Sequence, residues 1–334
     1  MKRLISANNL LLLGVVVVGA ALLGSATGGT FFGPVSMTAF FTYLSVPVLI
    51  GLAQMITLCV GQLNLAVGAI GGVAACAAGV MITSWGVPPW VGALSTVLIG
   101  AFLGLANGLI VVGTRINGFI VTLAMTQILI GVQYGLVGTR TYGSSAWSAV
   151  TSFGDAKILG IPNVFVLTLL VAGVVALYFA QSVSGRRLLA SGGNAHAAEL
   201  AGISIDRTLI VAHTLSGLLC GVAAFVTLAI LPGVNSSIGG DWLMPSFAAP
   251  IIGGVGLAGG TVAVLGTVLA ATVVRLVDAA SAIFKFDTSA VNFVVGAVVL
   301  GTVALGRLRE VQAARRASAL RSKRAEAALA EVSR

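Results

Sequence analysis

Long apolar stretches separated by short polar breaks run through most of the chain. They are Asn8–Gly24, Met37–Val60, Asn64–Thr83, Pro88–Val112, Asn117–Gly138, Pro162–Val183, Arg207–Leu231, Met244–Leu257, Gly260–Ser281 and Thr288–Gly306. A helix crosses the hydrocarbon core of a bilayer with about 20 such residues. Met244–Leu257 is too short for that, since as a helix it reaches only about 21 Å. It reads as a short tilted helix or as a half-helix that enters and turns back, which is tolerated only where protein or water shields its backbone. The pattern predicts an all-α, polytopic membrane protein with about ten transmembrane helices. Residues 1–306 form one membrane domain and residues 307–334 a basic tail. Lys2 and Arg3 before the first stretch resemble a signal peptide, but further spans follow, so that stretch is read as a retained helix.

Composition narrows the class. Of the 334 residues, 58% are hydrophobic and 8% charged, whereas soluble domains carry about 25% charged residues. A soluble enzyme, a secreted disulfide scaffold and a disordered chain are excluded. The 44 glycines suit closely packed membrane helices. Charge placement then sets orientation. With the N-terminus inside, one set of loops holds Lys2, Arg3, Arg115, Arg186, Arg187, Arg207 and the eight basic residues of the tail, and the other only Arg140, Lys157 and Lys285. Lysine and arginine gather on the cytoplasmic side, so both termini are expected there. The tail has no aromatic residue, which argues for a solvated helix near anionic lipid and against nucleic-acid binding.

Two connections exceed a tight turn. Thr139–Ile161 lies outside and has room for a short surface helix. Ser184–Asp206 lies inside. In it Asn194 is a natural N-cap and Gly202 a natural helix end, so a helix of about two turns is expected between them, as a docking element or a plain connector. Glycines at four-residue spacing, Gly100/Gly104/Gly108 above all and Gly131/Gly135, Gly217/Gly221 and Gly256/Gly260 more weakly, mark close helix packing, within the chain rather than at a dimer seam. The glycine-rich run Gly253–Gly260 is followed by Thr261 and Val262. It therefore lacks the Lys-Ser/Thr that a phosphate-binding loop requires. Any ATP must be used by another chain.

Chemistry-bearing residues are few. Cys59, Cys76 and Cys220 lie in apolar runs without metal-ligand spacing, and His196 and His213 occupy unlike settings, so no metal site is expected. Arg275 and Asp278 share a helix face and can pair. No chain of acids and histidines crosses the spans, which argues against a proton-coupled carrier. No hydrolytic motif occurs, so an enzyme fits poorly. The neutral amides Gln54, Asn64, Asn107, Gln127 and Asn292 either bond between helices or line a path for a polar solute.

The stretch Gly185–Ile203, GRRLLASGGNAHAAELAGI, resembles the internal loop of ABC-importer permeases of the ribose/xylose type. So do LSGLLCGVAAFVTLAIL from Leu215, GGDWLMPSFAAPIIGGVGLAGGTVAVLGTVLAA from Gly239 and RINGFIVTLAMTQILIGVQY from Arg115. The resemblance covers about Gly51 to Gly306. It implies a permease subunit in a bacterial inner membrane that works as a pair, homodimeric or with a second permease. Two cytoplasmic ATPase subunits, which carry the ATP and magnesium, drive it, and an external binding protein delivers a small polar solute such as a sugar. The chain itself then binds no cofactor. Residues 184–206 become the coupling loop, with Gly185, Arg186, Gly192, Gly193, Asn194, Ala198, Glu199 and Gly202 facing the ATPase. Asn64 and Ala66 stand where the family usually has an acid and a serine, which leaves the solute open. The alternative is a carrier or facilitator that works without an ATPase.

Overall fold

The computed structural model describes residues 7–143, 147–285 and 296. The expected Thr288–Gly306 span, with Asn292, and the basic tail lie outside the described residues apart from Gly296.

Seven described helices are long and apolar enough to cross a membrane: α1 (Ala7–Ala26), α2 (Pro34–Cys59), α4 (Pro89–Thr114), α5 (Gly118–Val137), α7 (Asn163–Gln181), α10 (Ile205–Ile230) and α12 (Val264–Phe284). Two shorter apolar helices accompany them, α3 (Val67–Thr83) and α11 (Leu243–Ile252). The polar connections supply α6 (Ser148–Asp155), α8 (Val183–Gly193) and α9 (Ala195–Leu200). The architecture is that of a helical, multi-pass membrane protein. The spanning helices are apolar around their whole circumference, as lipid outside and protein inside both require.

Of the seven long helices α2 and α10 are the most deeply buried, and α4 and α10 form the most extensive pairing. Glycine makes that pairing possible. A Cβ on Gly104 would lie 2.9 Å from the Gly217 Cα, and one on Gly217 would lie 2.6 Å from the Gly104 Cα. Gly100 meets Gly221 and Gly108 meets Ile210 in the same way. The double glycine repeat and the Gly217/Gly221 repeat are therefore two sides of one seam within the chain. Gly131 and Gly135 on α5 have nothing within 4 Å of a built Cβ.

The bundle has two ends. At one, α6 covers the start of α4 and the end of α10. Trp90, Phe153 and Phe225 cluster there, and the buried Trp147 indole donates to the Leu228 carbonyl at 3.1 Å. At the other, Arg115 after α4 makes a two-pronged 3.1 Å pair with Asp206 at the start of α10. Asn8 of α1 donates to the Ile252 carbonyl, and α8 packs on the loop between α11 and α12, at this same end. Arg115, Arg186, Arg187 and Arg207 thus share the α9 end, while Arg140 and Lys157 flank α6.

Two expectations need correction. Residues 183–193 of the internal connection are helical as α8, despite three glycines and two serines. Ser182 caps it by accepting from the Gly185 N–H, and a buried face of Gly185, Leu188 and Ser191 pays its ordering entropy. The expected Asn64–Thr83 helix forms as α3, from Val67 to Thr83. The Met244–Leu257 stretch, expected as a short helix, is a ten-residue helix that stops at Ile252 before a run of glycines, three of which (Gly254, Gly259 and Gly260) have positive φ.

Candidate functional site: two unwound segments, a cavity and a capped surface helix

The chain is non-helical at two places inside the bundle, residues 60–66 between α2 and α3 and residues 231–242 between α10 and α11. Each exposes backbone groups that a membrane interior cannot satisfy, so partners must come from protein. Around Asn64 side chains supply these partners. In the amide orientation that the hydrogen-bond network requires, Gln54 donates to the Asn64 carbonyl at 2.9 Å and accepts from the Asn64 N–H at 3.1 Å. The Thr122 hydroxyl of α5 bridges the Leu63 carbonyl and the Leu65 N–H, both at 3.2 Å. The Asn64 side chain accepts from the Ala66 N–H and donates to the Ser216 hydroxyl of α10, both at 3.0 Å.

The second segment descends along α3. The Cys76 thiol donates to the Asn235 carbonyl at 3.2 Å and Gln133 to the Ile238 carbonyl at 3.0 Å. Val234 and Tyr142 exchange two backbone bonds of 2.8 Å. The segment meets the first turn of α3 where Gly239, at φ 84°, lies against the Gly68 backbone, and no side chain fits between them.

Above this meeting point lies a cavity of about 630 Å³, within the size range of ligand sites. Its walls are Tyr43, Pro47 and Ile50 of α2, the end of α10, Ser237–Trp242, and Arg275 and Asp278 of α12. Pro47 lies inside α2 and lacks the N–H that would bond the Tyr43 carbonyl. Arg275 lies 3.9 Å from the Asp278 carboxylate, and its guanidinium carbon stands 5.2 Å from the Tyr43 ring centroid. The expected Arg275/Asp278 pair thus forms, and it lines a cavity that the sequence does not show. Tyr43, Asp241 and Trp242 join it without any sequence signal beyond their type.

The candidate amides divide. Gln54 and Asn64 are brought together, and Gln54 continues the α2 face that carries Tyr43, Pro47 and Ile50. Asn107 is fully buried on α4. Gln127 points to the exposed side of α5. Ser216 and Thr122 were not candidates, because hydroxyl residues are common in membrane helices and usually bond their own preceding turn. Because Gln54 satisfies two buried backbone groups, Gln54→Leu is expected to destabilise the purified protein by about 2–5 kcal/mol. Thermal unfolding in detergent reads this as a lowered midpoint.

At the α9 end the polar connection is well ordered. Asn194 caps α9 by accepting from the Ala197 N–H at 3.0 Å. The helix closes with Gly202 at φ 79°, whose N–H bonds the Glu199 carbonyl, while the Ile203 N–H bonds the Ala198 carbonyl. That paired closure needs a left-handed residue, which glycine supplies. Of the expected coupling residues, Arg186, Gly193, Asn194 and Glu199 are exposed, whereas Gly185 and Ala198 are buried against the bundle. Leu200, not singled out from sequence, is 79% exposed. Gly192 is clamped instead: a Cβ there would lie 2.7 Å from the Gly260 nitrogen, whose N–H bonds the Cys59 carbonyl at 2.8 Å. The end of α8 is therefore joined to the end of α2 and to the loop before α12.

A multi-pass bundle with unwound segments beside a mostly apolar cavity that holds a few charged groups suits a solute permease. Residues 36–303 match the family described as branched-chain amino acid transport system / permease component, and the chain belongs to that family. It is 28% identical over 308 residues to the fructose import permease protein FrcC of Rhizobium meliloti, covering 90% of this chain and 85% of the relative. It is 28% identical over 295 residues to the D-allose transport system permease protein AlsC of Escherichia coli K12, covering 88% and 90%. It is 29% identical over 271 residues to the autoinducer 2 import system permease protein LsrC of Enterobacter sp. strain 638, covering 81% and 78%. No solved structure matches the chain. The chain is thus a transmembrane permease component, a transport subunit rather than an enzyme.

Proposed function

We propose that this chain is the membrane subunit of an ATP-driven importer that carries a sugar across the bacterial inner membrane. The observation that supports this best is the family membership together with relatives named for fructose, allose and autoinducer 2 import. The cavity chemistry agrees with it. Aromatic faces at Tyr43 and Trp242 suit the apolar side of a sugar ring, and Asp241, Asp278 and Arg275 suit its hydroxyls.

In this reading the α9 end faces the cytoplasm, where the arginines gather, and the cavity opens outward. An external binding protein delivers solute over the α6 face. ATPase subunits, which hold the ATP and magnesium, dock on α9, and a second permease completes the pair. Closure of the ATPases displaces α9. The Gly192–Gly260–Cys59 contact passes that displacement to α2 and α12, two walls of the cavity. Each ligand shifts the balance of inward and outward states only by its differential affinity for them. The test is uptake by vesicles holding this chain, its ATPase and its binding protein, against a panel of sugars. ATP-dependent accumulation of one of them is the expected result, and accumulation without ATP would make the chain a carrier instead.

A further inference from the structure

Gly104, Asn107 and Gly108 lie on one face of α4, at spacings of three and four residues. His213, Ser216 and Gly217 lie on one face of α10 at the same spacings. These are the two faces pressed together in the glycine seam, with Gly104 on Gly217 and Gly108 on His213. The seam therefore collects three polar side chains, and Asn64 of the unwound segment reaches it through Ser216. Asn64, Asn107, His213 and Ser216 are all fully buried. Asn64 and Ser216 satisfy each other. The Asn107 amide nitrogen and oxygen, and both ring nitrogens of His213, have no hydrogen-bond partner among the described residues.

Buried polar groups without partners cost stability, so leaving four such atoms at one seam needs a reason. Helices α2, α3, α4 and α10 carry no charged residue except Asp206 and Arg207 at the α10 start. The seam thus offers donors and acceptors but no formal charge. An amide presents both kinds of group, and so does a neutral imidazole. A sugar hydroxyl, at once donor and acceptor, complements them. A zwitterion, with its ammonium and carboxylate, would be left uncompensated.

We infer that Asn107 and His213 form an inner subsite for the hydroxyls of a neutral sugar, closed in this state by the Asn64–Ser216 hydrogen bond. The inference rests on the sugar-importer reading and adds the site and the charge class. When the unwound segment withdraws Asn64, the seam flank opens to solute coming from the cavity. The Asn107 and His213 atoms then gain the partners they lack.

The test uses the full complex in vesicles, with Asn107→Leu and His213→Leu, each close to the original volume. Uptake of the sugar carried by the wild-type complex should fall about tenfold in each variant, the size expected for losing one hydrogen bond to a buried polar group. Thermal midpoints in detergent should stay equal or rise, because an unpaired polar group has been replaced by an apolar one. A midpoint that falls together with uptake would show a structural role and overturn the inference. Unchanged uptake would overturn it too. A second measurement places cysteine at Asn107 in a chain whose Cys59, Cys76 and Cys220 are alanine. A water-soluble thiol reagent should label it only during turnover, and excess sugar should protect it; labelling that ignores turnover or sugar would count against the site. Wild-type complex that accumulates no sugar at all would overturn the importer reading and the subsite with it, an outcome distinct from unaffected variants.

Discussion

Glu199→Arg combined with Leu200→Asp is expected to lower ATP-driven uptake by about two orders of magnitude while leaving insertion and folding intact. The reasoning is local. Both side chains are exposed on α9, and neither supports a cap or a buried contact. Asn194 and Gly202 hold the helix from its two ends, so the changed residues do not bear on its existence. An exposed leucine beside an acid on a polar connection is what a partner groove would cover. An apolar anchor and a charge lost together from such a contact cost about 3 kcal/mol, hence the expected size of the loss. Uptake in vesicles, beside a thermal midpoint of the purified variant, separates the two effects. An unaffected midpoint with near-normal uptake would remove α9 from the contact.

Gly104→Leu is expected to abolish the folded protein. Any Cβ at Gly104 falls within 3.0 Å of the Gly217 backbone, and three further carbons must follow it. The contact is backbone on both sides, so no rotamer relieves it. Overpacking of this kind costs about 3 kcal/mol or more, and here it would separate the two most extensively paired helices. Gly131→Leu is the control, since nothing lies within 4 Å of its Cβ. Size-exclusion profiles of the two purified variants should differ accordingly.

Much of this was legible in the sequence. Apolar runs located the spanning helices because lipid admits few alternatives. The four-residue glycine spacing announced the α4–α10 seam, and Asn194 and Gly202 announced α9, because each feature is a local rule written in few residues. What escaped was non-local. The breaks at residues 60–66 and 231–242 depend on side chains from other elements, Gln54, Thr122, Cys76 and Gln133, that satisfy broken backbone. Residues 183–193 looked like a loop because glycine and serine disfavour helices, and only burial against the bundle outweighs that preference. The cavity assembles Tyr43, Asp241 and Arg275 from three distant segments, which no spacing reveals. Gln127 carries the same amide as Gln54, yet its helix turns it to the exposed side.

The central claim is that this chain is driven by a partner ATPase docked at α9. The most direct measurement is to purify the chain from its native membrane, identify the chains that come with it, and assay ATP hydrolysis with and without sugar-loaded binding protein. The account predicts a stable ATPase partner whose hydrolysis rises with loaded binding protein and loses that response in the Glu199→Arg/Leu200→Asp variant. A chain that purifies alone and moves sugar in vesicles without ATP would contradict it.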